Sequence, residues 1–104
     1  MATATIKLVN GELLGSFYFT KRPEELAQKL LKEGYYKEAF RCEVLAKDAK
    51  AVAEEMFDLT NNPSRDEERE ERYGRGRSVS VGDIVEVDGV NYLCASMGWR
   101  ELAE

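Results

Sequence analysis

Alternation of apolar and polar residues predicts strands near both ends of the chain. In the opening TIKLVNGELLGSFYF, two extended runs flank Asn10 and Gly11, a dipeptide that favours a hairpin turn because both positions tolerate positive φ. A period-two apolar line predicts a further strand over 36–45. The run SVSVGDIVEVDGVNYL, which begins at Ser78, predicts two more strands around an Asp-Gly turn.

Two other segments predict amphipathic helices, with apolar side chains at spacings of three and four residues. The first begins at Pro23, which a first helical turn tolerates, and ends before Gly34, which suits a C-terminal cap. The second begins after Asp48 as its cap. It ends before Pro63, because a residue that precedes proline disfavours the helical region.

A charged segment over 64–77, SRDEEREERYGRGR, separates the second helix from the last strands. It contains one large apolar residue, Tyr73, among glutamates and arginines. Pairs of Glu and Arg could support a solvated helix here. Because no apolar stripe is present to hold such a helix against a core, we predict a charged flexible loop.

The order of these elements predicts an α+β fold: a mostly antiparallel sheet of about five strands, two helices packed on it, and a C-terminal β-hairpin. A length of 104 residues predicts a single domain over 1–104. No apolar run is long enough to span a bilayer, and the start has no signal-peptide pattern, so we expect a cytoplasmic protein with no membrane partner.

The composition argues against several classes of enzyme and metal site. The formal net charge is −5 and the chain contains no histidine, which argues against a triad hydrolase and a Cys/His zinc site. Cys42 and Cys94 are too few to hold structural zinc and are expected to be free thiols. We therefore expect no metal, no cofactor and no catalytic residues.

The polar residues around the last strands allow several interpretations. Arginines 72, 75 and 77 beside Tyr73 could grip a phosphate or stack on a base, but they could equally balance the neighbouring glutamates, as charge runs usually do. Ser78 and Ser80 are expected to bond turn backbone rather than act as nucleophiles. Trp99 is expected to anchor the edge of the sheet or, if partly exposed, to form an interface hot spot.

The C-terminal half resembles the small YodL/KfrB-like domains of phages, plasmids and their bacterial hosts. The resemblance rests on a helix ending in Leu-Thr-Asn, a polar loop, an Arg-Ser-x-Ser-Val-Gly-Asp run and a final Gly-aromatic pair. These features fall on Leu59, Thr60 and Asn61, on Arg77, Ser78, Ser80, Val81, Gly82 and Asp83, and on Tyr92, Gly98 and Trp99. The length and charge of the loop depart from the family pattern. The resemblance implies a mobile-element protein that travels with invading DNA and blunts host defences, with no established catalytic residues.

We therefore predict a non-enzymatic interaction module of mobile-element type that interferes with a host defence protein, as a monomer or homodimer. The expected binding residues are Thr60, Asn61, Asn62, Tyr73, Arg75, Arg77, Ser78, Ser80 and Trp99, gathered at the two ends of the last hairpin. The first alternative is a nucleic-acid-binding module that uses the arginines and aromatic residues of the 72–78 loop. A second alternative, a small enzyme, requires a buried carboxylate beside a concave pocket.

Overall fold

A computed structural model describes residues 1–46 and 48–103. One five-stranded sheet joins the two ends of the chain in the order β2-β1-β3-β4-β5, and neighbouring strands pair antiparallel. The strands are β1 (Ala2–Val9), β2 (Tyr36–Val44), β3 (Ile84–Val87), β4 (Val90–Ala95) and β5 (Gly98–Glu101). The α-helices are α1 (Ser16–Phe19), α2 (Pro23–Lys32), α3 (Ala49–Asn61) and α4 (Asp66–Arg72). The predicted α+β fold class is confirmed.

Both faces of the sheet carry a helix. On one face α3 packs its buried side chains against residues such as Ile6 and Val85, and on the other α1 and α2 pack against Ile84 and Leu93. Since successive residues of a strand point to opposite faces, β3 needs apolar residues on both sides. This explains why its sequence, IVEV, does not alternate. Each helix in the described parts of the chain is too short or too polar to cross a membrane.

The C-terminal hairpin forms at the predicted Asp-Gly turn. Asp88 and Gly89 both adopt positive φ, 48° and 88°, as a two-residue hairpin turn requires. The predicted helices are also present, with Pro23 in the first turn of α2 and the Asp48 side chain accepting a hydrogen bond from the Ala51 amide at the start of α3. One strand was not predicted: β5 turns back after β4 and pairs Trp99 with Cys94.

The predicted N-terminal hairpin is wrong. Asn10 has a negative φ of −51°, and its side chain accepts a hydrogen bond from the Glu12 amide, so a 3₁₀ turn begins where a hairpin was expected. The run expected to be a second strand instead forms this turn and α1. Leu14 and Phe17, three residues apart, contact the core of the α2 face. That spacing places both side chains on one side of a helical turn, whereas in a strand they would point to opposite faces.

The prediction of a loop over 64–77 is wrong for its first half, which forms a 3₁₀ turn at Pro63–Arg65 and then α4. Arginines hold this segment down in place of an apolar stripe. The Arg65 guanidinium bonds Glu55, Asp58 and Glu68 at 2.8–2.9 Å. Hydrogen bonds from Arg65, and then from Arg72, lower the pKa of Glu68 to about 2.

Candidate functional site

The segment 77–83, which contains the predicted site residues Arg77, Ser78 and Ser80, is organised around Asp83. This carboxylate is completely buried, and its two oxygens accept four hydrogen bonds. Two come from the Arg77 guanidinium, at 2.6 and 2.9 Å. The others come from the backbone amides of Val9, at 2.9 Å, and Ser80, at 2.7 Å. Four donors match the capacity of a carboxylate, so Asp83 has no site left for a ligand.

Arg77 links this segment to the first strand. Besides Asp83, its guanidinium donates to the Val9 carbonyl oxygen at 2.6 Å. The hydrogen bonds to Asp83 are the main cause of the raised pKa of Arg77. The side chain that was expected to contact a partner is therefore bonded within the protein and fixes the end of β1.

The end of α3 is joined to the same segment. The Thr60 hydroxyl donates to the Met56 carbonyl and accepts from the buried amide of Val79, each at 3.1 Å. The Ser78 hydroxyl donates to the Thr60 carbonyl at 2.7 Å, and the Asn61 side chain donates to the Val79 carbonyl at 2.9 Å. The amides of Val79 and Ser80 thus bond the side chains of Thr60 and Asp83 and not a neighbouring strand, which explains why the predicted strand at 78–81 does not form.

Three more of the predicted residues, Tyr73, Asn62 and Ser80, also have partners inside the protein. The Tyr73 hydroxyl donates to the Arg77 carbonyl at 2.5 Å, and its ring meets Phe40 edge-on at 5.7 Å. Asn62 accepts from the Ser64 amide at 3.0 Å, and the Ser80 hydroxyl donates to the Ser78 carbonyl at 3.3 Å. Arg75 alone projects into solvent, 3.6 Å from Glu70.

Trp99 does not join this group. The β3–β4 hairpin brings the Trp99 backbone to the same end of the sheet as Gly82. The Trp99 ring, however, is buried in the core on the α3 face. The indole donates to a carboxylate oxygen of Glu54 on α3 at 2.9 Å. Trp99 is therefore an anchor of the sheet edge, and its burial does not fit the hot-spot interpretation.

Together these contacts show that the 77–83 segment and the end of α3 help to build the fold. Gly82 completes it: its φ is +104°, and a Cβ there would lie 2.6 Å from a ring carbon of Phe17. Residues of the 77–83 segment bring the loop exit, the end of α3 and the end of β1 together. These residues are therefore largely occupied by contacts within the protein, and the surface available to a partner lies beside the 77–83 segment.

A groove of about 640 Å³ lies next to Arg77, where β1 ends and β2 begins. Of the predicted site residues, only Arg77 lines this groove. The rest of the lining consists of Leu8, Val9, Asn10, Gly34, Tyr35, Tyr36, Lys37, Glu38 and Ala39. Strand β2 forms one edge of the sheet. Ala39 is an extra residue in this strand, because Ile6 pairs with Phe40 and Lys7 pairs with Glu38.

The groove combines apolar surface with one available positive charge. Tyr35 is 45% exposed, and Tyr36 is held in place by donating its hydroxyl to the Gly82 carbonyl at 2.6 Å. Burial raises the pKa of Tyr36, and the Asp83 charge adds to the effect. Lys37 is exposed and makes no ion pair with the described residues. Only the pairing of β1 with β2 brings these residues together, so sequence reasoning missed them; the adjacent tyrosines after Gly34 were the one available signal.

The buried carboxylate Asp83 and the two cysteines are poorly placed for catalysis. A carboxylate is buried beside the groove, as an enzyme would require, but Asp83 is saturated with hydrogen bonds and is absent from the groove lining. Burial raises the pKa of the Cys94 thiol to about 12 and also raises that of Cys42, which disfavours the reactive thiolate. In 1–46 and 48–103, no three His, Cys, Asp or Glu side chains form a set that could hold a metal ion.

Comparison with known proteins identifies no relative that would indicate a function for the groove or for the 77–83 segment. The chain matches no family model, no curated protein and no solved structure.

Proposed function

We propose that the protein is a non-enzymatic module that binds a partner protein in the groove beside β2. The observation that carries the proposal is the groove itself: a concave, largely apolar surface that opens onto an edge strand and has Lys37 at its rim. Concave apolar surfaces with a few polar groups are the usual places where proteins bind ligands and peptides.

An extended segment of a partner fits this place. An edge strand leaves alternate backbone N–H and C=O groups unpaired, so a second chain can bond along it. An apolar side chain of the partner would contact Leu8 and Tyr35, and a carboxylate would pair with Lys37. The extra residue at Ala39 and the Glu38–Arg41 ion pair restrict which strands can approach, which gives the edge selectivity.

The resemblance to YodL/KfrB-like domains supports a mobile-element role for this binding. We propose that the partner is a host protein whose defence activity the module blocks. The groove lies against Arg77, the first residue of the 77–83 segment, so one of the residues that carry the resemblance also lines the groove.

Nucleic acid is the less favoured partner because the arginines of the loop already face carboxylates. Arg72 lies 2.9 Å from Glu68, and Arg77 lies 2.6 Å from the buried Asp83. Pairing of this kind cancels the positive potential that draws a phosphate backbone, and the net charge of −5 opposes it further.

A photo-cross-linking residue placed at Tyr35 tests the proposal in a bacterial host lysate. We expect one recurrent protein adduct that survives nuclease treatment and weakens several-fold in the Lys37→Glu variant, because charge reversal repels a carboxylate. The matched control carries the cross-linker at Leu45, which is 86% exposed just beyond the other end of β2. Equal adducts from both positions, or adducts that nuclease removes, would contradict the proposal.

A further inference from the structure

We propose that a second surface, formed by α1 and the turn between β4 and β5, binds an acidic segment of a partner protein that also carries apolar side chains. This surface is separate from the groove beside β2, and its evidence does not depend on the groove. It contains three of the most exposed large apolar side chains of the described residues: Tyr18, Phe19 and Met97.

Their exposure is large enough to need an explanation. Phe19 is 88% exposed, Met97 is 89% exposed and Tyr18 is 65% exposed. Tyr18 and Ser96, the residue before Met97, line one small cleft together with Arg100, so the two elements adjoin. Exposed apolar side chains on neighbouring elements of a small protein mark an interaction surface more often than scattered ones do.

The projection of α1 is fixed by the core beneath it. Phe17 is buried in the α2-face core, and its ring occupies the space above Gly82. Because α1 is a single turn of four residues, anchoring Phe17 inside leaves Tyr18 and Phe19 on the outside. The aromatic residues are therefore presented by a buried anchor and do not lie on a loose loop.

Positive charge surrounds this surface although the chain as a whole is acidic. The clefts beside α1 are lined by four cations and two carboxylates: Lys21, Arg22, Lys29, Arg100, Glu24 and Glu25. The two ion pairs among them are long, 3.5 Å for Arg22–Glu25 and 3.7 Å for Arg100–Glu24, and solvent-exposed. Such pairs neutralise little, so a carboxylate of a partner can compete for the cations.

An acidic protein segment fits this combination better than other partners. Its apolar side chains would cover Phe19 and Met97, and methionine adapts to different shapes. Its carboxylates would lie against Lys21 and Arg22. A nucleic acid or an anionic membrane would also meet cations and aromatic rings here. Either would bring a far higher density of negative charge towards a chain of net charge −5, which repels it at longer range.

Selection of random peptides displayed on phage against the immobilised full chain tests the inference. We expect enrichment of peptides with Asp or Glu beside Leu, Phe or Trp. The affinity of the consensus peptide should fall at least about tenfold in Phe19→Ser, as for an exposed interface anchor. The Lys21→Glu and Arg22→Glu variants should bind the consensus peptide more weakly, and the salt dependence of that binding should largely disappear. All three changes lie at exposed positions, so thermal unfolding of each variant should be close to that of the native chain.

The Tyr35→Ser variant separates this surface from the groove. It should leave the consensus peptide's affinity unchanged, and the cross-linking at Tyr35 should in turn be unaffected by Phe19→Ser. Consensus peptides without acidic residues, or with affinity insensitive to Phe19→Ser, would overturn the inference. So would binding of oligo-dT, or of phosphatidylcholine–phosphatidylserine vesicles, that Phe19→Ser abolishes.

Discussion

Replacement of Arg77 by methionine is expected to lower the free energy of unfolding by about 3–5 kcal/mol. The change leaves the Asp83 carboxylate buried with two backbone donors and no counter-charge. It also removes the hydrogen bond to the Val9 carbonyl, which lies at the end of β1. A buried charge without its partner costs far more than an exposed one, so the effect should exceed that of any other arginine in the loop.

Urea denaturation at neutral pH measures this loss, and Arg75→Met is the matched control. Arg75 lies two residues away, its side chain is 91% exposed, and it faces Glu70 at 3.6 Å. Its replacement should change stability by less than about 0.5 kcal/mol. If Arg77→Met unfolds at the same urea concentration as the native chain, Arg77 does not hold the 77–83 segment.

Replacement of Gly82 by alanine is expected to destabilise the protein by about 2–5 kcal/mol, from two separate causes. The positive φ of +104° disfavours any residue with a Cβ, at about 1–2 kcal/mol. The new methyl group would also lie 2.6 Å from the Phe17 ring, and overpacking of this kind costs about 1–3 kcal/mol.

Gly89→Ala separates the two causes. Gly89 also has a positive φ, +88°, but no atom lies within 4 Å of the position of its missing Cβ. Its replacement should therefore show the backbone cost alone, about 1–2 kcal/mol. Thermal denaturation of both variants, with Gly82→Ala repeated in a Phe17→Leu background, measures the difference. Equal losses at Gly82 and Gly89 would show that Phe17 does not pack against Gly82.

The elements that local signals determine were predictable, and those that depend on distant partners were not. The turn at Asp88 and the cap at Asp48 use residues within three positions of one another, so the sequence displays them. By contrast, α4 depends on Arg69, whose guanidinium donates to carbonyl oxygens at the end of α3 and beyond α4. An arginine that packs by hydrogen bonding has the same sequence pattern as a solvated charge.

In the candidate site, too, local features were predictable and contacts between distant residues were not. Arg77 and Ser78 were predicted as binding residues, but their structural role depends on distant partners: Val9, 68 residues from Arg77, and Thr60. Trp99 was expected to close the sheet edge, which its position in β5 fits. The groove was missed because its two sides come from β1 and β2, whose register no local pattern specifies.

Hydrogen exchange at the amides of Val79 and Ser80 tests most directly whether the 77–83 segment is part of the fold. Neither residue lies in a helix or a strand, and their N–H groups bond the Thr60 hydroxyl and the Asp83 carboxylate. We predict that both amides exchange as slowly as those of the central strands, close to the rate that global unfolding allows. Exchange as fast as that of the exposed Gly76 would contradict the structural role of the 77–83 segment and would return Ser80 to the candidate binding site.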